Sequence, residues 1–109
     1  MSRYLFIESR DAFESRDTRF VEENATALKG RGHDVTVFLI QNGVLAARKN
    51  GRENYLGRLQ QAGVTLLVDD FSLCERGIRT AELAAGIQPT SIELLVAQLV
   101  QENTKAIWH

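Results

Sequence analysis

One thiol carries most of the chemistry open to this sequence. Cys74 is the only cysteine among 109 residues, and it lies in the stretch VDDFSLCERGIRTAEL, Val68 to Leu83, directly after an apolar run. A thiolate is a good nucleophile and a thiol is not, so reactivity depends on lowering a pKa of about 8.5. A helical turn beginning at CERGI would bring free backbone N–H groups and the positive end of the helix dipole to the sulfur. Arg76 and Arg79 would add positive charge, whereas Asp69, Asp70 and Glu75 would oppose ionisation if they turned the same way. The other reading is a packed cysteine beside Phe71, Leu73 and Ile78, because free cysteine is among the most buried residue types. Composition and spacing leave both readings open.

Other routes to catalysis are thin. The two histidines, His33 and His109, lie far apart and make a poor ligand set with a single cysteine, so no metal is expected. No GxGxxG follows the first apolar run and no GxxxxGK loop occurs, so nucleotide-binding motifs are absent and no organic cofactor is expected. The glycines of GRGHD fall where a helix should stop. His33 enters the second strand at the end of the sheet opposite Cys74, and His109 is expected to fray. The pair Asp69–Asp70 reads as a strand end and turn cap. Arg48, Lys49 and Arg52 form a basic cluster, expected as a solvated face, with recruitment of an anionic donor or acidic partner as the alternative.

The elements that must position Cys74 follow from the hydrophobic pattern. RYLFIE (Arg3–Glu8), DVTVFLI (Asp34–Ile40) and VTLLVD (Val64–Asp69) are short, almost continuously apolar runs, which is the mark of buried strands. A brief strand is expected near Gly86–Gln88, and KAIWH (Lys105–His109) closes the chain as a last strand. Between them, Asp17 can cap a helix carrying Val21, Ala25 and Leu28 that stops at Gly30 and Gly32. QNGVLAARKN reads as a turn followed by a short helical piece, and NGRE (Asn50–Glu53) has capping-box spacing ahead of Leu56 and Leu59. TSIE (Thr90–Glu93) has the same spacing, with Ile92, Leu95, Val96 and Leu99 following at i, i+3, i+4 and i+7.

Strands alternating with helices imply a parallel sheet covered on both faces, an α/β three-layer sandwich built with right-handed crossovers. Reactive groups in such folds gather beyond the carboxyl ends of the strands, where Cys74 is expected to lie. The length suits one domain, residues 1–109, and leaves apolar surface that association would cover. A net charge of −1 argues against a nucleic-acid partner. No basic-then-apolar leader and no apolar stretch of membrane-spanning length is seen, so neither export nor a membrane partner is expected. With one unpaired thiol, that points to a reducing cytoplasm.

In ALKGRGHDVTVFLIQNGV, in GVTLLVDDFSLCERGI and in SIELLVAQLVQENTKAIWH, the chain resembles the DsrE/TusD-like (DsrEFH) sulfur-relay family over nearly its whole length. The shared features are a GH turn leading into an apolar strand, a cysteine and an RG pair after the third strand, and a closing helix and strand. The resemblance implies a five-stranded parallel sheet with flavodoxin-like topology. It also implies assembly into trimers or hexamers of identical or related subunits, with sulfur donor and acceptor proteins as partners. It further implies that Cys74 receives and passes sulfane sulfur as a persulfide, without metal or cofactor. Two features depart from the family pattern: SRDAFESRD lacks the glycine-rich character common after the first strand, and the segment from Cys74 to Pro89 is compact. Some relatives lack the cysteine and serve as structural subunits, so a non-catalytic oligomerisation or binding subunit is the alternative.

Overall fold

Apolar, β-branched and aromatic runs become strands, as their pleated, half-buried packing favours. The computed structural model describes residues 2–12, 18–49 and 55–109. Their order is β1 (Arg3–Glu8), α1 (Thr18–Gly30), β2 (Asp34–Leu39), a 3-10 segment (Gln41–Ala47), α2 (Tyr55–Gln61) and β3 (Thr65–Asp69). Then come α3 (Asp70–Glu75), a 3-10 turn (Thr80–Glu82), β4 (Gln88–Thr90), α4 (Ile92–Leu99) and β5 (Thr104–Trp108).

All five strands pair in parallel, in the order β4-β3-β2-β1-β5. The chain therefore steps steadily from β1 to β4 and then crosses back to lie on the far side of β1. Right-handed crossovers put the helices of the forward steps on one face and α4, the return crossover, on the other. The two cores obey this rule. Phe6, Val37, Leu39, Leu66 and Val68 pack with α1 and α2, through Val21, Leu56 and Leu59 among others. Leu5, Ile7, Phe38, Ile40 and Leu67 meet Leu95 of α4. The expected three-layer sandwich is present.

The second face is thinly covered. Leu95 is the one buried residue of the eight-residue α4, while Ile92 is 48% and Val96 54% exposed. Trp108 pairs with Ile7, so it lies on the same face, and it is 62% exposed.

Several local expectations shift. The fourth strand is Gln88–Thr90 rather than Gly86–Gln88, and it contains Pro89. Proline lacks an N–H, which an edge strand tolerates, and β4 is an edge. Because Thr90 belongs to β4, the capping box at Thr90–Glu93 does not form; Ser91 is the N-cap of α4 and makes no side-chain cap bond. The Asp17 cap and the Asn50–Glu53 capping box lie outside the described residues. Gly43 is required by packing, since a Cβ there would overlap the Glu8 carbonyl oxygen.

Candidate functional site

The site begins where β3 ends. Asp69 closes the strand and caps α3, its Oδ2 accepting from the Ser72 N–H at 3.1 Å and the Ser72 hydroxyl at 2.6 Å. Ser72 Oγ in turn accepts the Gln41 N–H at 2.9 Å, from a residue held at φ 51. Next to it, Asn42 Oδ1 accepts from Arg76 Nη2 at 3.0 Å and Nε at 3.2 Å. These bonds fasten α3 to the 3-10 segment that follows β2, so the backbone around Cys74 is tied to two neighbouring strands.

CERGI turns out to stop a helix rather than start one. The Gly77 N–H donates to the Cys74 carbonyl at 3.1 Å and the Ile78 N–H to the Leu73 carbonyl at 3.0 Å. With Gly77 at φ 66, this is a Schellman motif, with buried Leu73 and Ile78 flanking the turn. Glycine is needed there because an L-residue resists that backbone conformation. Cys74 therefore sits in the last turn of α3, and the free N–H groups lie one turn earlier, at Asp70. The expectation that a helix N-terminus faces the thiol is overturned.

The thiol is nevertheless open to solvent. Phe71, a neighbour in the packed reading, is itself 65% exposed. Cys74 lies on the wall of a cavity of about 430 Å³ whose other walls include Asp70, Leu73, Ile78, Arg79 and Pro89. The cavity stands at the carboxyl edge of the sheet, beyond β3 and beside β4, where chemistry was expected.

The neighbouring charges divide unequally. Arg79 shares the cavity, but its Nε lies 3.2 Å from Glu82 Oε1. Glu82 also accepts the Arg79 N–H at 3.0 Å; that bond first, and the guanidinium second, hold its carboxyl below the ordinary value. Arg76 turns to Asn42 and to the Ser72 carbonyl, with Glu75 Oε1 3.8 Å from its Nη1. Asp70 has no hydrogen-bond or ion-pair partner among the described residues. Of the two arginines named from sequence, only Arg79 reaches the cavity.

The remaining candidates separate from Cys74. His33 sits at the amino edge of the sheet, its Nδ1 accepting the Ser2 N–H at 3.3 Å and its ring edge-on to Tyr4 at 5.1 Å. Arg48 and Lys49 are exposed and join the segment behind the cavity, through an Arg48–Leu83 bridge and a 2.7 Å bond from the Lys49 N–H to the Glu82 carbonyl. Arg52 lies outside the described residues. No group of three or more His, Cys, Asp or Glu side chains able to hold a metal is found among the described residues.

A second polar cluster stands at the same edge. His109 is docked rather than frayed: its N–H donates to the Ile7 carbonyl at 2.8 Å and its carbonyl accepts the Ser9 N–H at 2.9 Å. Its Nδ1 lies 2.8 Å from Glu8 Oε2, and Glu8 is fully buried. Burial raises the Glu8 carboxyl above its ordinary value, against the lowering pull of the Arg10 N–H and His109. The His109 ring stacks on Phe20 at 5.6 Å. Close by, the Tyr55 hydroxyl is buried without a hydrogen-bond partner among the described residues. Sequence reading missed Glu8, although strand alternation places it on the inward face with Tyr4 and Phe6.

A five-stranded parallel sheet with a cysteine cavity at its carboxyl edge defines the architectural class. Within that class, the DsrE/DsrF-like family matches residues 2–108, and the chain belongs to it. No curated protein matches the sequence significantly. Among solved structures, the chain is similar to the YchN protein from E. coli, with a TM-score of 0.88 at 17% identity over 100% of both chains. It is also similar to MTH1491 from Methanobacterium thermoautotrophicum, a protein of unknown function, with a TM-score of 0.84 at 18% identity over 100% of both chains. BT1422 from Bacteroides thetaiotaomicron, another conserved protein of unknown function, follows at 0.79 and 17%, covering 99% of this chain and 95% of its own. At such identities the likeness is one of fold. No helix among the described residues is long and apolar enough to cross a membrane.

Proposed function

We propose that the protein is a single-domain, cytoplasmic sulfur carrier in which Cys74 accepts sulfane sulfur and passes it on as a persulfide. The observation that carries this reading is the solvent-open thiol on a cavity wall at the carboxyl edge of the sheet, in a chain of the DsrE/DsrF-like family. The Cys74 thiolate attacks the outer sulfur of a donor R–S–SH. A bond forms between Sγ and that sulfur, the donor's S–S bond breaks, and R–S⁻ leaves. An acceptor thiolate then repeats the attack on Cys74–S–SH and releases the Cys74 thiolate. The exchange balances without an outside oxidant.

The carrier works as an assembly of identical or related subunits. Ile92, Val96, Leu99 and Val100 of α4 and its C-cap, with Trp108, supply the apolar surface for it. Sulfur loading tests the reading directly: the protein is incubated with cysteamine persulfide and weighed intact. Wild type should gain one sulfur atom and Cys74→Ser none. Equal uptake by both, or no uptake by wild type, removes the proposal and leaves the non-catalytic subunit.

A further inference from the structure

We infer that Asp70 is a specificity determinant of the Cys74 cavity, admitting sulfur carriers whose reacting end is neutral or cationic and turning away small anions such as thiosulfate. The inference rests on the sulfur-transfer reading of Cys74 and adds the chemical class of partner that the cavity accepts.

Charge on the wall that carries the thiol decides which reagents reach it. Asp70 and Cys74 stand at i and i+4 on α3, a spacing that puts both side chains on one face of the helix, and both line the same cavity. Both arginines that follow Cys74 have acidic neighbours: Arg79 pairs with Glu82 at 3.2 Å, and Arg76 turns to Asn42 with Glu75 beside it. Behind the cavity, Asp69 is buried and receives bonds only from Ser72, with no cation beside it among the described residues. Of the two charged side chains that line the cavity, Asp70 and Arg79, Asp70 is the one without an ion-pair partner among the described residues.

An anion that enters the cavity meets that carboxylate on the same wall as the thiol. Thiosulfate would transfer its outer sulfur to the Cys74 thiolate by forming the Sγ–S bond and expelling sulfite, so both reactant and leaving group are anions in a cavity with a fixed negative wall. A carrier presenting an ammonium or guanidinium beside its persulfide meets an attraction instead. At an i, i+4 separation near the surface, one unit charge changes the encounter of a singly charged reagent about threefold to tenfold at low salt. The effect shrinks as the Debye length falls to about 8 Å at physiological salt and below it at higher salt.

The test uses reagents of matched shape and different charge, with the folded wild-type chain and Asp70→Asn. Asp70 is exposed, so the substitution should leave thermal stability close to wild type. Rates of Cys74 alkylation by iodoacetamide and iodoacetate are compared at low and high salt. The neutral-to-anionic rate ratio should fall about threefold to tenfold in Asp70→Asn at low salt and converge with wild type at high salt. An unchanged ratio overturns the inference. In parallel, sulfur uptake from thiosulfate and from cysteamine persulfide is read by intact mass; wild type should favour the cationic persulfide, and Asp70→Asn should narrow the preference. If neither donor loads sulfur while the alkylation ratio still moves, the relay reading fails and the charge selection stands. If sulfur loads while the ratio does not move, the relay stands and Asp70 has no selective role.

Discussion

His109→Ala and Glu8→Gln should have sharply different costs, although the two residues form one pair. Glu8 is fully buried at the end of β1, and its side-chain partner in the described structure is the His109 ring. Removing the imidazole strands a carboxylate in the core, which costs about 3 kcal/mol or more when a buried pair loses one member. Loss of the Phe20–His109 stack, at 5.6 Å between centroids, adds about 0.5–1 kcal/mol. Against a total stability of about 5–15 kcal/mol, that lowers the melting temperature by about 15 °C or more. Gln at position 8 keeps the shape and can still accept from the Arg10 N–H and His109 Nδ1 without bringing charge into the core, so its cost should stay within about 1 kcal/mol. Because burial raises the Glu8 carboxyl, the folded state holds a proton that the unfolded chain has already released. Its contribution is complete below the unfolded pKa and is lost as pH rises through the folded one, so Glu8→Gln should flatten a decline in stability upward from the ordinary carboxyl range. Urea denaturation of both single variants and the double variant, at several pH values, measures all of this. A His109→Ala cost below about 1 kcal/mol, or equal costs for the two singles, would refute the reasoning.

Three further outcomes follow from other parts of the structure. Gly43→Ala drives a Cβ into the Glu8 carbonyl oxygen and should cost about 1–3 kcal/mol in urea denaturation, with the near-ultraviolet circular dichroism disturbed. Tyr55→Phe removes a hydroxyl buried without a partner and should leave stability unchanged or raise it by about 1 kcal/mol; a loss of that size would mean the hydroxyl is bonded. The double substitution Val96→Glu/Leu99→Glu changes exposed positions of α4, so on the proposed assembly it should yield a folded monomer by light scattering while wild type runs larger. An assembly that persists would place the interface elsewhere.

What could be read from the sequence, and what could not, divides along physical lines. Strands β1, β2 and β3 were legible because a parallel sheet buried on both faces demands near-continuous apolar runs. The i, i+3, i+4, i+7 pattern located α4, and of that apolar stripe only Leu95 is buried. Periodicity records that a face is apolar and is silent on whether sheet or partner covers it. A helix start at CERGI would suit a reactive cysteine, yet Gly77 two residues past the helix is the ordinary stop signal, and its positive φ fits that role. The Glu8–His109 pair joins residues 101 positions apart, and nothing local to either one encodes that contact.

The two polar centres of the carboxyl edge cannot act together within one copy of the chain. Cys74 follows β3, and His109 follows β5, with β2 and β1 lying between those strands. Three interstrand spacings of about 4.8 Å put the imidazole roughly 14 Å from the strand that carries the thiol. His109 Nδ1 is also occupied by Glu8. His109 is therefore not placed to take the Cys74 proton within one copy of the chain. The helix orientation leads to the same place, because the last turn of α3 presents carbonyls, not N–H groups, to the residue in question. Among the described residues, neither His109 nor a helix N-terminus stands beside the thiol, so on the proposed relay the sulfur donor, and the charge it carries past Asp70, sets the pace of reaction.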